Sequence, residues 1–184
     1  MEFREGFYPW LWVIFRPKWA MQSLNISLRG ILILMGMGIF SHLISVPHFL
    51  ENGYLIAIGV ALLFSFSASL FCIYGIRRVL YGVGTIFKAG GSLQEVGKAL
   101  AVAQAPVMAF MGVQLLLRIP LEGYPKVQMG LFIFFEIWFC IILVGCLAGA
   151  FQSSWIKAFS ILVTTFFFLG GVVIGTISLV ALIA

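Results

Sequence analysis

The 184-residue chain is 62% hydrophobic, with 9% charged residues and a mean hydropathy of +1.14, whereas charged residues make up about a quarter of an ordinary soluble domain. Because so few polar residues cannot cover the exterior of a soluble fold, we predict an integral membrane protein. The net charge of +5 would suit a nucleic-acid partner. The basic residues lie beside apolar runs, however, which favours membrane topology and lipid over nucleic acid.

Residues 1–29 form an N-terminal segment in which aromatic and basic residues alternate. This composition is typical of the membrane interface. Pro17 suits the first position of a helix, so we predict one helix from Pro17 through Arg29 into the first span. The expected interfacial anchors are Trp10, Trp12, Arg16, Lys18 and Trp19.

Residues 30–184 read as one transmembrane domain. A helical crossing needs about 20 predominantly apolar residues, and the runs show none of the strand-like alternation of a barrel. The predicted fold is therefore an all-α membrane helix bundle. Its five spans are expected at residues 30–47, 54–76, 100–118, 129–151 and 158–182.

The basic residues predict the orientation of these spans. Nine of the eleven lysines and arginines fall in the N-terminal segment, after the second span or after the fourth, and only Arg118 and Lys126 fall on the other side. Because basic loops stay in the cytoplasm, we expect a cytoplasmic N-terminus and, after five spans, a C-terminus outside.

The longest polar stretch after the N-terminus, "KAGGSLQEVGKALAVAQAPV", leads into the third span. Two glycines permit a turn, Ser92 is a favourable N-cap residue, and Glu95 completes the S-x-x-E capping box. The spacing predicts a helix that begins at Leu93 in the headgroup region and continues to Arg118. Pro106 removes one backbone hydrogen bond, so we expect a kink there.

Glu136 is the only acidic residue inside a predicted span, where an unpaired carboxylate is costly. His42, Gln114 and Arg118 fall at similar depth, so the four residues could form one intramembrane polar cluster. Two interpretations stay open. The cluster is either a structural clamp between helices, which we favour, or a site for a proton, a solute or a lipid headgroup.

No pattern for catalysis or metal binding emerges. His42 and His48 have no ligand spacing, the three cysteines form no CxxC pair, and no phosphate-binding glycine loop is present. We therefore expect no enzyme activity, metal or cofactor. Two G-x-x-x-G motifs predict close-packed faces on the fourth and fifth helices, within the chain or between chains; they are Gly145 with Gly149 and Gly171 with Gly175.

Three segments carry a resemblance to a known family. "IFRPKWAMQSLN", "GTIFKAGGSLQEVGKALAVAQAPV" and "GCLAGAFQSSWIKAFSILV" resemble the Ypt/Rab-interacting (Yip) membrane proteins, and the resemblance extends over most of the chain. It implies five spans and a short, prokaryotic-type member located in the cell membrane. The GTPase association of eukaryotic members is not expected, because only about 29 residues precede the first span.

The expected function is therefore non-enzymatic. The protein would organise lipid, including anionic lipid, or bind a protein partner or a second copy through its basic and aromatic cytoplasmic face. The alternative is a small transporter, channel or lipid-moving protein built around Glu136.

Overall fold

The computed structural model describes residues 8–45, 54–117 and 124–183, and within these ranges the regular structure is entirely helical. The predicted all-α class is confirmed. The helices are α1 (Tyr8–Phe15), α2 (Pro17–Ser23), α3 (Leu28–Ser45), α4 (Tyr54–Phe71), α5 (Arg77–Ile86), α6 (Leu93–Val102), α7 (Ala105–Leu117), α8 (Pro125–Ala150) and α9 (Trp155–Ile183), with a π-helical turn, Cys72–Ile76, between α4 and α5.

Three stretches of helix among the described residues are long and apolar enough to cross a membrane: Ile58–Ile86, Pro125–Ala150 and Trp155–Ser178. A shorter apolar helical stretch covers Leu28–Ser41. Large apolar side chains remain exposed along α4, α8 and α9, which suits helices that face lipid. The chain is thus a membrane-helix protein, as its composition predicted.

The helix of the second predicted span, 54–76, does not end at residue 76. Its helix continues without a break through the π-helical turn and Arg77 to Ile86. The extension is amphipathic, and its residues Leu80, Val83 and Gly84 are buried. Tertiary packing therefore extends the helix through a segment whose polar residues had indicated a break.

The predicted single helix from Pro17 through Arg29 is two helices. Pro17 does occupy the start of α2, as predicted, but α2 ends at Ser23 and α3 begins only at Leu28. The Ser27 Oγ accepts a hydrogen bond from the Gly30 amide (3.2 Å). This serine therefore caps a new helix instead of continuing the old one.

The third predicted span is also divided. We predicted one helix bent at Pro106, whereas α6 ends at Val102 and α7 begins at Ala105. Pro106 lies in the first turn of α7. Backbone amides in the first turn of a helix have no intrahelical acceptor, so the missing N–H of proline costs no helical hydrogen bond there. Ala103, in the intervening turn, is fully buried, so protein rather than lipid surrounds the irregular backbone there.

The helices are most densely packed at one end of the bundle. This packed end comprises α1, α2 and α6, the C-terminal ends of α5 and α8, and the start of α9. The central element is α8, which contacts α2, α6, α7 and α9. The core cluster of the packed end includes Met21, Val96, Leu147, Phe151 and Ile161, each at most 1% exposed.

Candidate functional site

The short helix α2 lies against the first G-x-x-x-G motif. A Cβ atom added to Gly149 would lie 2.8 Å from the Lys18 backbone oxygen and 2.9 Å from Met21 Cβ, and one added to Gly145 would meet the Pro17 ring. The two glycines therefore provide the surface on which α2 sits. The predicted close packing of this motif is confirmed, and its partner belongs to the same chain.

Three of the N-terminal anchors, Trp12, Arg16 and Trp19, form a connected aromatic and cationic group. The Arg16 guanidinium lies over the Trp12 ring, 5.2 Å from its centroid, a cation–π distance. Trp12 in turn meets Trp19 edge to face, with centroids 6.0 Å apart. Trp10 lies in α1, and its side chain lies outside the described part of the structure.

An open groove of about 390 Å³ runs beside this group. One of its lining residues, Pro17, is buried. Trp155, the first residue of α9, lines it together with α2. A Cβ atom added to Gly145 would meet the Trp155 ring as well as the Pro17 ring. Among the residues that the structure describes, the lining includes two cations and no carboxylate: Phe15, Arg16, Pro17, Lys18, Trp19, Gln22 and Trp155.

Two lysines close the ends of helices at this site. Lys18 Nζ donates to the Ser153 carbonyl (2.9 Å), just after α8. Lys157 Nζ donates to the Lys88 carbonyl (3.0 Å), just after α5. Both cations lie at helix C-termini, where they offset the negative end of the helix dipole and satisfy carbonyls that lack helical partners.

The two helix ends share the same turn geometry. After α8, Ser153 N bonds to the Ala148 carbonyl and Gln152 adopts φ 48°; after α5, Ala89 N bonds to the Gly84 carbonyl and Lys88 adopts φ 51°. These are Schellman turns in which a non-glycine residue occupies the left-handed position. The chain therefore turns tightly between α8, which ends at Ala150, and α9, which begins at Trp155.

The polar stretch that starts at Lys88 packs onto the end of α8. Gly91 has φ 90°, and a Cβ atom there would collide with the Ala150 carbonyl oxygen. Glycine is thus required at this position for both its conformation and its close approach. The close approach is to Ala150 at the end of α8, about 60 residues away in the sequence.

The predicted cap of α6 is confirmed. Ser92 is extended and its Oγ accepts a hydrogen bond from the Glu95 amide (3.3 Å), and α6 begins at Leu93. The Glu95 carboxylate lies 3.4 Å from Nζ of the buried Lys98. Glu95 therefore also neutralises a buried cation, a role that the capping-box pattern does not indicate.

The predicted polar cluster is divided between described and undescribed parts of the chain. Glu136 is half-buried on α8. His42 belongs to α3 and Gln114 to α7. The α7 helix packs against both α3 and α8. The side chains of His42 and Gln114, and the whole of Arg118, lie outside the described residues. The prediction that the four side chains meet stays a prediction.

Sequence reasoning missed several residues of the packed end. Trp155 was not predicted as an anchor because it lies far from the N-terminal aromatic residues in sequence. Arg77 lies against Gly97, and its Nε is buried without a hydrogen-bond partner. Ser154 accepts a hydrogen bond from the Lys157 amide (3.3 Å). Only the last had a local signal, a serine immediately before a long apolar run.

The described residues hold no group of three His, Cys, Asp or Glu side chains that could bind a metal ion, and all three cysteines are free thiols. The groove is therefore the site in this part of the chain with the most distinctive chemistry. Comparison with protein-family models, with curated proteins and with solved structures found no match for the chain.

Proposed function

We propose that the chain is a five-span, non-enzymatic membrane protein of Yip type that organises anionic lipid at its basic and aromatic end. The observation that carries this proposal is the seating of α2 on Gly145 and Gly149. This packing holds the N-terminal cations and tryptophans at the end of α8, a helix long enough to span a membrane. The family assignment rests on the three sequence segments alone.

The five-span arrangement has support from the two lysine contacts. They bring together three separate segments at one end of the bundle: Lys18 in α2, Lys88 after α5, and the turn at Ser153. Segments on one side of a membrane are separated by an even number of crossings. Five spans meet this condition, because two lie between Lys18 and Lys88 and two between Lys88 and Ser153.

A three-span arrangement does not place an even number of crossings between these segments. If only the three long helical stretches crossed, one crossing would separate Lys18 from Lys88, and these two residues would lie on opposite sides. The two additional crossings would be α3, about 27 Å long over 18 residues, and α6 together with α7. The α7 helix alone has 13 residues, about 20 Å, so α6 would be needed to complete its crossing of a ~30 Å core.

Residue 88 provides the test of this topology. In a chain whose native cysteines have been replaced, single cysteines at Lys88 and at Lys126 would be labelled with an impermeant maleimide in sealed vesicles of known orientation. Both native side chains are exposed. Five spans require opposite labelling of the two sites; labelling of both from the same side would contradict the five-span proposal and favour three.

The lipid-organising role is tested by reconstitution. We expect the purified chain to enrich phosphatidylglycerol over phosphatidylcholine in its immediate lipid shell, because each basic residue near an anionic surface contributes ~1 kcal/mol. Equal enrichment of the two lipids would contradict this role. Flux of a solute or a labelled lipid that is lost in Glu136→Gln would instead support the transport alternative.

A further inference from the structure

We propose that the groove between α2 and Trp155 binds the headgroup of one anionic glycerophospholipid. This inference deepens the proposed function, on which it rests, by giving it a defined site. The ligand's phosphate would lie against Arg16 and Lys18, and the tryptophans would contact its glycerol and upper acyl region. The lining residues that carry the argument are Arg16, Pro17, Lys18, Trp19 and Trp155.

The position of the groove matches the depth of a headgroup. Trp155 is the first residue of α9, and Gly145, which Pro17 and Trp155 both approach, lies five residues before the end of α8. Five residues of helix span about 8 Å. The headgroup layer is of similar thickness, since polar regions add about 10–15 Å to a ~30 Å core over both leaflets.

The charge of the groove selects an anion. Arg16 is exposed, and its guanidinium lies over the Trp12 ring; within residues 8–45, 54–117 and 124–183 it pairs with no carboxylate. A guanidinium positioned in this way can present two parallel donors to a phosphate. Lys18 Nζ donates to the Ser153 carbonyl and, as an ammonium group with three donors, retains the capacity to bond a second oxygen.

The aromatic walls select a lipid rather than a free anion. Phe15 is 71% exposed, Trp155 42% and Trp19 36%. These large apolar surfaces gain nothing from inorganic phosphate, but they match the boundary between headgroup and acyl chain, where tryptophan is enriched in membrane proteins. An acidic peptide would satisfy the cations, yet it would leave these surfaces without an apolar partner at membrane depth.

Native mass spectrometry of the delipidated full-length chain, with added phosphatidylglycerol or phosphatidylcholine, tests the proposal. We expect one phosphatidylglycerol to be retained with about tenfold higher affinity than phosphatidylcholine, because both lipids carry the phosphate but only phosphatidylcholine would place a second cation, its choline ammonium, beside Arg16 and Lys18. Arg16→Gln is expected to abolish this preference. Arg29→Gln, which removes an exposed cation that does not line the groove, is the matched control and should retain it.

The variant Arg16→Lys distinguishes a defined lipid-binding site from diffuse electrostatic attraction of anionic lipid to the basic end of the protein. It keeps the charge but loses the paired donors, so a defined site predicts a severalfold loss of phosphatidylglycerol affinity, whereas a diffuse field predicts none. Each variant's thermal unfolding, measured in the same detergent, confirms that its fold is retained. Equal losses in Arg16→Gln and Arg29→Gln would overturn the groove assignment and leave the lipid-organising function standing.

Two further measurements distinguish a bound lipid from a free phosphate ion and from an acidic peptide. Inorganic phosphate at millimolar concentration should not displace the bound lipid; displacement at low concentration would overturn the lipid assignment. A short poly-glutamate peptide that binds the wild-type chain but not Arg16→Gln, in the absence of any preference between lipids, would identify a protein partner instead. A wild-type chain that shows no preference in detergent or in vesicles would contradict both the groove and the lipid-organising function.

Discussion

The two G-x-x-x-G motifs have the same spacing but opposite surroundings. Gly145 and Gly149 lie under α2, so closely that an added methyl group would meet Pro17 at the first glycine and Lys18 at the second. Around Gly171 and Gly175, no atom outside the local helix lies within 4 Å of such a methyl group. The predicted close-packed face on the fifth helix is therefore absent within the described part of the chain.

This difference shows what the motif determines. The spacing creates a smooth strip on a helix, which permits close approach. Whether anything approaches depends on the rest of the chain, here on a seven-residue helix that is more than 120 residues away in sequence. The motif in α8 organises the packed end, whereas the one in α9 remains an exposed strip on a helix of apolar residues.

The largest loss of stability is expected from a substitution at Gly91. This glycine packs even more closely against its neighbours than Gly145 and Gly149 do, so it extends the comparison between packed and open glycines. Gly91→Ala would place a Cβ in a left-handed residue, against the Ala150 carbonyl. Strain and overpacking together should lower the free energy of unfolding by about 3 kcal/mol or more. The measurement is thermal unfolding in detergent, followed by tryptophan fluorescence. A shift no larger than that of Gly82→Ala, where the added Cβ meets nothing, would contradict the packing described.

The second-largest loss of stability is expected in the motif of Gly145 and Gly149, on which α2 packs. Gly149→Ala should destabilise the protein by about 2 kcal/mol, because the obstructing atoms include the Lys18 backbone, which cannot move like a side chain. The matched control is Gly175→Ala, in the open motif. Limited proteolysis after α2 should become faster in Gly149→Ala only. Equal behaviour of the two variants would remove the distinction between the motifs.

A smaller effect is expected at the cap of α6, one of the helices of the packed end. Ser92→Ala removes the acceptor of the Glu95 amide and should cost about 1 kcal/mol. Ser92→Asp, whose carboxylate can accept the same bond at a helix N-terminus, should retain the stability of the wild type. The measurement is again thermal unfolding in detergent, and an equal loss in both variants would show that the hydroxyl is important for another reason.

The smallest effect is expected in the open motif. Gly171→Ala replaces glycine within a helix at a site with free space, so the unfolding free energy should rise by at most about 1 kcal/mol, from the greater helix propensity of alanine. A marked loss, especially one that depends on protein concentration, would instead indicate that a second copy packs on this strip. Thermal unfolding at two protein concentrations, together with size-exclusion chromatography, distinguishes these results.

Local rules predicted the features that depend on a few neighbouring residues. Ser92 caps α6 because the acceptor and the amide it satisfies lie three residues apart. Pro17 begins α2 for a similarly local reason. Pro106 was identified as a point of disruption, but its result, two helices in place of a kinked one, depended on whether protein would bury the intervening turn.

Prediction failed where distant segments decide. Residues 77–86 read as a loop, yet Gly84 lies under the Phe151 ring, and this contact stabilises the helical extension. The groove was only half predicted: Arg16, Lys18 and Trp19 were expected to lie at the interface, whereas Trp155 joins them because the turn after α8 brings the start of α9 beside α2.

The sequence by itself determined that this is a helical membrane protein, which stretches of it are apolar, and how α2 and α6 begin. Those properties follow from composition, from hydrophobic runs and from hydrogen bonds between near neighbours, all of which are local. Only the tertiary structure decided which pair of glycines receives a partner, which lysine reaches which helix end, and which aromatic residues share a groove. Such contacts depend on the shapes of surfaces that meet only when the chain has folded.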